Sequence, residues 1–378
     1  MHYEAIVIGL GAVGSASAAE LARRGVRVLG LEAFGRAHEL GSSGGLSRII
    51  RLALFEHPRY VPLLREAWQG WRDLERETGR QLLLQCGGIY AGRRGSAVLE
   101  GAVRSVTEHD LAHQMYDAGE AMQRFPALRF EPDMAIVYEE MAGLLYPERC
   151  IETHLSVAES NGAELHFGER VASWGGADVI TVASDMITYT CDRLVIAAGA
   201  WLPKLVPELE LPLTVERNVL FWFEPTDPAA LQPERLPVYI VELDEDHAFY
   251  GFPLLPGQGA KVARHHGGRP VDPDTVERDA TDEDERPVRD FVERYLPAAD
   301  GPRLDAKVCM YTNTPDFDFI IDTHPADERV VIASPCSGHG FKFSNVMGRV
   351  AADLALTGAS ELDVRFLSID RFAPRIGC

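Results

Sequence analysis

The chain has no CxxC pair, no basic excess and no internal repeat of 20–50 residues. No apolar run approaches the ~18 residues of a membrane span. Each absence removes a class. The six cysteines, at 86, 150, 191, 309, 336 and 378, are scattered. In a chain this long they read as reduced thiols of a cytoplasmic protein, not as a disulfide framework or a metal centre. The formal net charge of −20 excludes a general nucleic-acid binder, which needs a basic face, and argues against anionic lipid. An anionic substrate must then meet a local basic spot in an acidic protein. The N-terminus has no basic segment followed by an apolar run and a cleavage site, so no export signal is expected.

What is present is a globular composition, 46% apolar over 378 residues, enough for one large or two ordinary domains. Tyr3 to Ile8 is a short apolar run suited to a buried parallel strand. Gly9, Gly11 and Gly14 follow, then an Ala/Leu-rich helix ending at Gly25, then a second strand, Val26 to Leu31, closed by Glu32. Strand, glycine turn, helix and strand ending in an acid form the dinucleotide fingerprint. The glycines let backbone approach a pyrophosphate at the helix N-terminus, and the acid takes ribose hydroxyls. A carboxylate there repels a 2′-phosphate, so NADP is disfavoured, while NAD and FAD stay open. A plain glycine turn is the competing explanation; the flanking strands and Glu32 outweigh it.

The glycine-rich loop 41–48 leads into Arg48-Ile49-Ile50-Arg51, where arginines three apart suit one side of a helical turn. Tyr60 to Gly79 is amphipathic at helical spacing, with Trp68 and Trp71 as core. Leu82 to Ala91 reads as one strand and Ala97 to Glu108 as a helix. Cys150 to Asn161 is a further helix. Leu165–Phe167, Val171–Trp174 and Val179–Val182 read as a meander. Arg193 to Trp201 is a buried strand running into a glycine turn at Gly199. The segments 216–223, 238–241 and 248–252 are strand-like and aromatic, as a sheet lining a pocket would be. In Lys261 to His266, alternation places Lys261, Ala263 and His265 on one face and Val262, Arg264 and His266 on the other. Asp274 to Leu296 is acidic, with a helix around 286–296, and its charges read as solvated surface. Phe317–Asp322 and Val330–Ala333 read as strands. The second feeds the turn Ser337-Gly338-His339-Gly340-Phe341-Lys342 and a final helix, a second arrangement that favours negative charge at a helix start.

Several segments, in order over nearly the whole chain, carry a resemblance: GLGAVG with Glu32, GSSGGLSRIIR at 41–51, YVPL at 60–63, AAGAW at 197–201, YGFP at 250–253, KVARH at 261–265, VCMYTNTPD at 308–316, DFIID at 318–322 and SGHGFKFS at 337–344. The chain resembles the monomeric sarcosine oxidase and N-methyltryptophan oxidase family of D-amino acid oxidase-like flavoproteins. That resemblance implies an α/β fold: a Rossmann-like FAD-binding domain (1–80, 148–214 and 325–378) interleaved with an α+β substrate domain built on an antiparallel sheet (81–147 and 215–324).

The resemblance implies FAD joined covalently through its 8α carbon to the sulfur of Cys309; a buried small hydrophobe is the other fate of such a cysteine. Cofactor contacts are implied for Gly9, Gly11, Gly14, Glu32, Ser42, Arg48, Val171, Gly199, Gly338, Gly340 and Lys342. Catalytic and substrate contacts are implied for Arg48, Arg51, Tyr250, Lys261, His265, Tyr311 and Lys342. Arg51 and Lys342 would grip a substrate carboxylate, and Lys261 would assist dioxygen. The implied reaction is oxidation of a secondary, N-methyl amino acid by hydride transfer to the flavin, with imine hydrolysis and reduction of dioxygen to hydrogen peroxide, in a monomer. Oxidation of a bulkier amine (a fructosyl amino acid, pipecolate or another cyclic imino acid), or a dehydrogenase with another acceptor, is the alternative. One departure stands out. The family carries two histidines and an aspartate in the loop before Arg48, where this chain reads Ser43-Gly44-Gly45-Leu46-Ser47; the change suits a larger substrate side chain.

Overall fold

A computed structural model describes residues 1–372. Its largest parallel run orders the strands Glu164–Phe167, Val28–Glu32, His2–Ile8, Thr188–Ile196 and Asp327–Ser334. The hairpin Val171–Gly175/Ile180–Ser184 pairs antiparallel with the first half of Thr188–Ile196, and Ile320–His324 pairs antiparallel with Asp327–Ser334. The parallel strands are buried on both faces, which explains their near-continuous apolar runs. Alternation still divides them. Ala5, Val7, Val195 and Val331 join the core beneath the helices, while Ile6, Ile8, Leu194 and Ile332 join the core on the other face.

Three helices, Ala12–Arg23, Pro147–Ser160 and Ser344–Thr357, cover the first face. A Cβ on Gly348 would lie 2.5 Å from the Ala16 Cβ, so only glycine allows the first and last of these helices to approach so closely.

A nine-stranded sheet takes the strands between these pieces. Its order is Arg269–Pro270, Thr214–Phe223, Ala260–His265, His247–Gly251, Val238–Asp244, Gly88–Arg93, Met134–Glu139 and Gln114–Asp117, with Arg303–Asn313 also paired to Thr214–Phe223. All its pairings are antiparallel except Val238–Asp244 with Gly88–Arg93. A small sheet, Arg48–Arg51, Ala142–Leu145 and Leu83–Gln85, completes the set. The architecture is the expected α/β arrangement with a second, largely antiparallel layer.

Five local expectations are corrected. Arg48–Arg51 is a strand, not a helical turn, because it pairs with Ala142–Leu145. Leu82–Ala91 is two strands in two sheets, broken where Gly87 adopts φ +77°. Glu164–Phe167 leaves the meander and adds in parallel to Val28–Glu32. The strand expected from Phe317 starts at Ile320, since Phe317 has a left-handed φ of +58°. The acidic helix, Asp282–Tyr295, is also not wholly surface. Thr281 and Asp284 form its capping box, Asp284 pairs with the buried Arg217 at 2.8 Å, and Val288, Phe291 and Tyr295 enter the core. Among the described residues Cys86, Cys150, Cys191, Cys309 and Cys336 are free thiols; Cys378 lies outside those residues.

Candidate active site

One long cavity runs from the first glycine turn, between the two large sheets, to the turn 338–342. At its nucleotide end Gly9 takes φ +86°, and a Cβ on Gly14 would sit 1.7 Å from the Gly9 carbonyl oxygen. The fold itself therefore demands glycine at both positions. Gly11 differs. The nearest protein atom to its ideal Cβ is 3.8 Å away, so the chain does not require glycine there, and the space it leaves opens on the cavity at the helix N-terminus. That is a cradle for a pyrophosphate.

Glu32 ends its strand beside this turn. It accepts from the N–H of Leu10 at 2.8 Å and of Phe34 at 3.1 Å, and lies 3.3 Å from His38 Nε2. Burial pushes its carboxyl up, but His38 and the two N–H groups outweigh that and hold it below the usual carboxylate range. Val171 and Gly199, the latter at φ +53°, line the same end. Ser42 lines the cavity further in, and its hydroxyl is buried without a partner. Such an orphan calls for a ligand, because an unsatisfied buried hydroxyl is costly. The residues present fit FAD: a pyrophosphate cradle, an acid for ribose and an unpartnered hydroxyl along the way.

In the middle, Cys309 lines the cavity on the strand Arg303–Asn313. Arg48 Nη2 donates to its sulfur at 3.6 Å, and to the carbonyls of Ser42 at 3.1 Å and of Gly44. Leu46, at φ +67°, packs against the small core that contains Cys309 and Tyr311. Glu148 holds this bend by accepting from the N–H groups of Gly45 and Leu46 at 2.8 and 3.0 Å. Lys261 stands behind the loop. Its ammonium donates to the carbonyls of Gly45 and Ser47, at 2.6 and 2.8 Å, and to the Ser47 hydroxyl at 3.2 Å. Burial and the Arg48 charge hold it well below the usual lysine range. Lys261 does not line the cavity, and neither does Gly14; every other residue expected at the site does.

The far end is a cationic cradle. Lys342 lies in the turn Phe341–Phe343 and donates to the His339 carbonyl at 2.6 Å. Burial and Arg51 lower it to about 7, against the pull of Glu56. Arg51 is buried over the Phe55 ring. Gly338 and Gly340 shape the turn, and a Cβ on Gly340 would lie 1.5 Å from the Pro335 carbonyl oxygen. Tyr250, Tyr311 and His265 form the wall. The two phenol oxygens are 3.5 Å apart, and burial drives His265 well below the usual histidine range.

Sequence reasoning missed Glu56. Both of its oxygens accept from Arg51 Nη2, at 2.7 and 2.8 Å, so the guanidinium expected to hold a substrate carboxylate already holds one. Burial raises the Glu56 carboxyl, yet Arg51, His339 and Lys342 outweigh this and hold it far below its usual range. His339 was expected with no assigned role. Burial lowers it to about 4, and its Nδ1 is unpartnered, 4.0 Å from Glu56. Glu139 was missed too. It accepts from the N–H groups of Leu52 and Ala53 and from Tyr90, fixing the bend that carries Arg51 and Glu56, and burial raises it to about 7. In sequence these carboxylates look like any others; only their burial marks them.

The FAD dependent oxidoreductase family, DAO, matches residues 4–354. The chain belongs to that family. It is 45% identical to the monomeric sarcosine oxidase of Streptomyces avermitilis, over 95% of this chain and 94% of that one. It is 33% identical to the N-methyl-L-tryptophan oxidase of Yersinia pestis, over 98% of this chain and all of that one, 100%. Among solved structures, NikD, an unusual amino acid oxidase essential for nikkomycin biosynthesis, superposes with a TM-score of 0.87 at 24% identity, covering 97% of each chain. That likeness concerns the fold. No helix among the described residues is long and apolar enough to cross a membrane.

Proposed function

We propose that this protein is an FAD-dependent oxidase of N-methyl amino acids, with FAD bonded to Cys309 and dioxygen as the electron acceptor. The observation that carries the reading is that Arg51 and Lys342 stand together in the same cavity as the dinucleotide cradle, with a carboxylate, Glu56, seated on Arg51. The relatives named as sarcosine and N-methyl-L-tryptophan oxidases favour secondary amino acids over fructosyl or cyclic ones.

Arg51 and Lys342 bind the substrate carboxylate, as a guanidinium fork and an ammonium suit that ion. Tyr250, Tyr311 and His265 wall the substrate and exclude water. His265, held neutral by burial, leaves the substrate amine free to lose its proton before oxidation. FAD, when bound, supplies the electron sink that such a C–H oxidation needs, which no side chain can. Gly9, Gly11, Gly14, Glu32, Ser42, Val171 and Gly199 would hold it at the nucleotide end of the cavity, and Arg48, Gly338, Gly340 and Lys342 would hold it further along. Arg48, which donates to the Cys309 sulfur at 3.6 Å, would orient that thiol where FAD would be bonded. Lys261 would assist dioxygen reduction by bracing the loop 45–47, to which it donates three hydrogen bonds. The oxidised substrate, an imine, takes up water to release formaldehyde and the primary amino acid, with hydrogen peroxide as the second product. We assign the nucleotide-binding domain to 1–80, 148–214 and 325–378 (described to residue 372), the substrate domain to 81–147 and 215–324, and a monomeric cytoplasmic protein to the whole.

The test is a substrate screen in air. N-methyl amino acids should yield formaldehyde and hydrogen peroxide in equal amounts. Turnover of cyclic or glycated amines alone would overturn the reading.

A further inference from the structure

The sequence places two histidines at the end of the strand Ala260–His265, and strict alternation would send their rings to opposite faces. The structure does otherwise. His266 adopts a left-handed φ of +61°, and its ring folds back to lie 4.2 Å from that of His265, centroid to centroid. The same ring stands edge-on to Tyr311 at 5.2 Å and to Phe317 at 5.0 Å. His266 lines no part of the cavity, yet it touches two residues that do, His265 and Tyr311.

A left-handed non-glycine residue costs free energy and persists only where its surroundings hold it. Here the holder is Glu216. This carboxylate is buried on Thr214–Phe223, in register with Tyr311 on the neighbouring strand. It lies 3.2 Å from His266 Nδ1, and accepts from the Gly268 N–H at 2.7 Å and from Asn313 Nδ2 at 2.5 Å. Burial raises its carboxyl, but His266 and Gly268 outweigh that and keep it below the usual range. One anion thus fixes the His266 ring, the turn after it and the strand end bearing Tyr311.

We propose that His266, held by Glu216, is a positioning residue for the substrate wall: it sets the ring orientations of His265 and Tyr311 and so tunes substrate binding. The inference rests on the oxidase reading above, since those two rings are assigned there to the substrate.

The test replaces His266 with glycine, which accepts a positive φ without strain. The holoenzyme should keep its flavin content and thermal stability and a kcat within about twofold, while KM rises about three- to tenfold, as lost ring contacts imply. Glu216→Gln keeps the shape of the holder and loses its charge; it should raise KM in the same direction, and it decides the matter if the glycine variant fails to fold. An unchanged KM in either folded variant would overturn the proposal, as would a loss of kcat without a change in KM. Wild-type protein that turns over no N-methyl amino acid would instead refute the oxidase reading, so the two failures are distinguishable.

Discussion

Raising the pH should weaken carboxylate binding as Lys342 loses its proton. Its ammonium is buried and lowered to about 7, so an approaching anion meets a charge that is only half present at neutral pH. Binding to the protonated form makes the apparent Kd grow as 1 + 10^(pH − 7). Taken alone this gives about tenfold by pH 8 and about 100-fold by pH 9. The ceiling is the worth of one charge-assisted hydrogen bond, about 1.5–3 kcal/mol, so the curve should level off roughly ten- to 150-fold above its acid plateau. The ligand should be a simple carboxylate without an amine, because a substrate amine titrates in its own right. Titrating it from pH 6 to 9, followed by the change in flavin absorbance, reads the curve. Glu139, raised by burial to about 7, ionises over the same range, and Lys342→Met separates the two. That variant should bind weakly at every pH, with no inflection. Linkage adds a second sign. The folded-state pKa lies below the ordinary 10.5, so the unfolded chain holds more protons between 7 and 10.5, and the burden of burying this lysine eases as pH rises through that window. Lys342→Met should therefore flatten a rise in stability across it. A wild-type Kd that is flat from pH 6 to 9, or an inflection that survives in Lys342→Met, would refute the reasoning.

Other expectations follow from the same geometry. Glu56→Gln removes the anion that occupies Arg51, and a simple carboxylate should bind about tenfold tighter, while the uncompensated buried guanidinium lowers stability by about 3–5 kcal/mol; weaker binding would deny that Glu56 competes with substrate. Cys309→Ala should fold and bind FAD but release it on acid precipitation, and flavin that stays with the precipitate would exclude this thiol. Gly11→Ala should fold normally and lose FAD affinity by about tenfold or more, because its Cβ enters the space left for pyrophosphate. Gly14→Ala should fail to fold, since its Cβ would lie 1.7 Å from the Gly9 oxygen; similar FAD loading in both variants would refute the distinction.

Much of this was legible in the sequence because backbone demands leave residue-level traces. The Gly9/Gly11/Gly14 turn, its flanking strands and Glu32 are local, and the structure places them as the spacing implies. The helices Val61–Thr78 and Ala97–Glu108 were legible from apolar periodicity. Pairing over long separations was not. Arg48–Arg51 looked helical in isolation, and only its partner Ala142–Leu145, about 95 residues away, makes it a strand. Glu56 and Glu139 carried no signal, because burial of a carboxylate is a property of the packed chain. The reversal of His266 was hidden too: period-two alternation assumes a φ that one left-handed residue abolishes.

The central claim is one cavity that holds FAD at its nucleotide end and an amino-acid carboxylate at its cationic end. Anaerobic addition of an N-methyl amino acid to the purified protein tests it most directly. The account predicts a yellow protein whose visible flavin absorbance bleaches on mixing and returns with air. Folded protein that is colourless and takes up no flavin, or flavin that no N-methyl amino acid reduces, would contradict it.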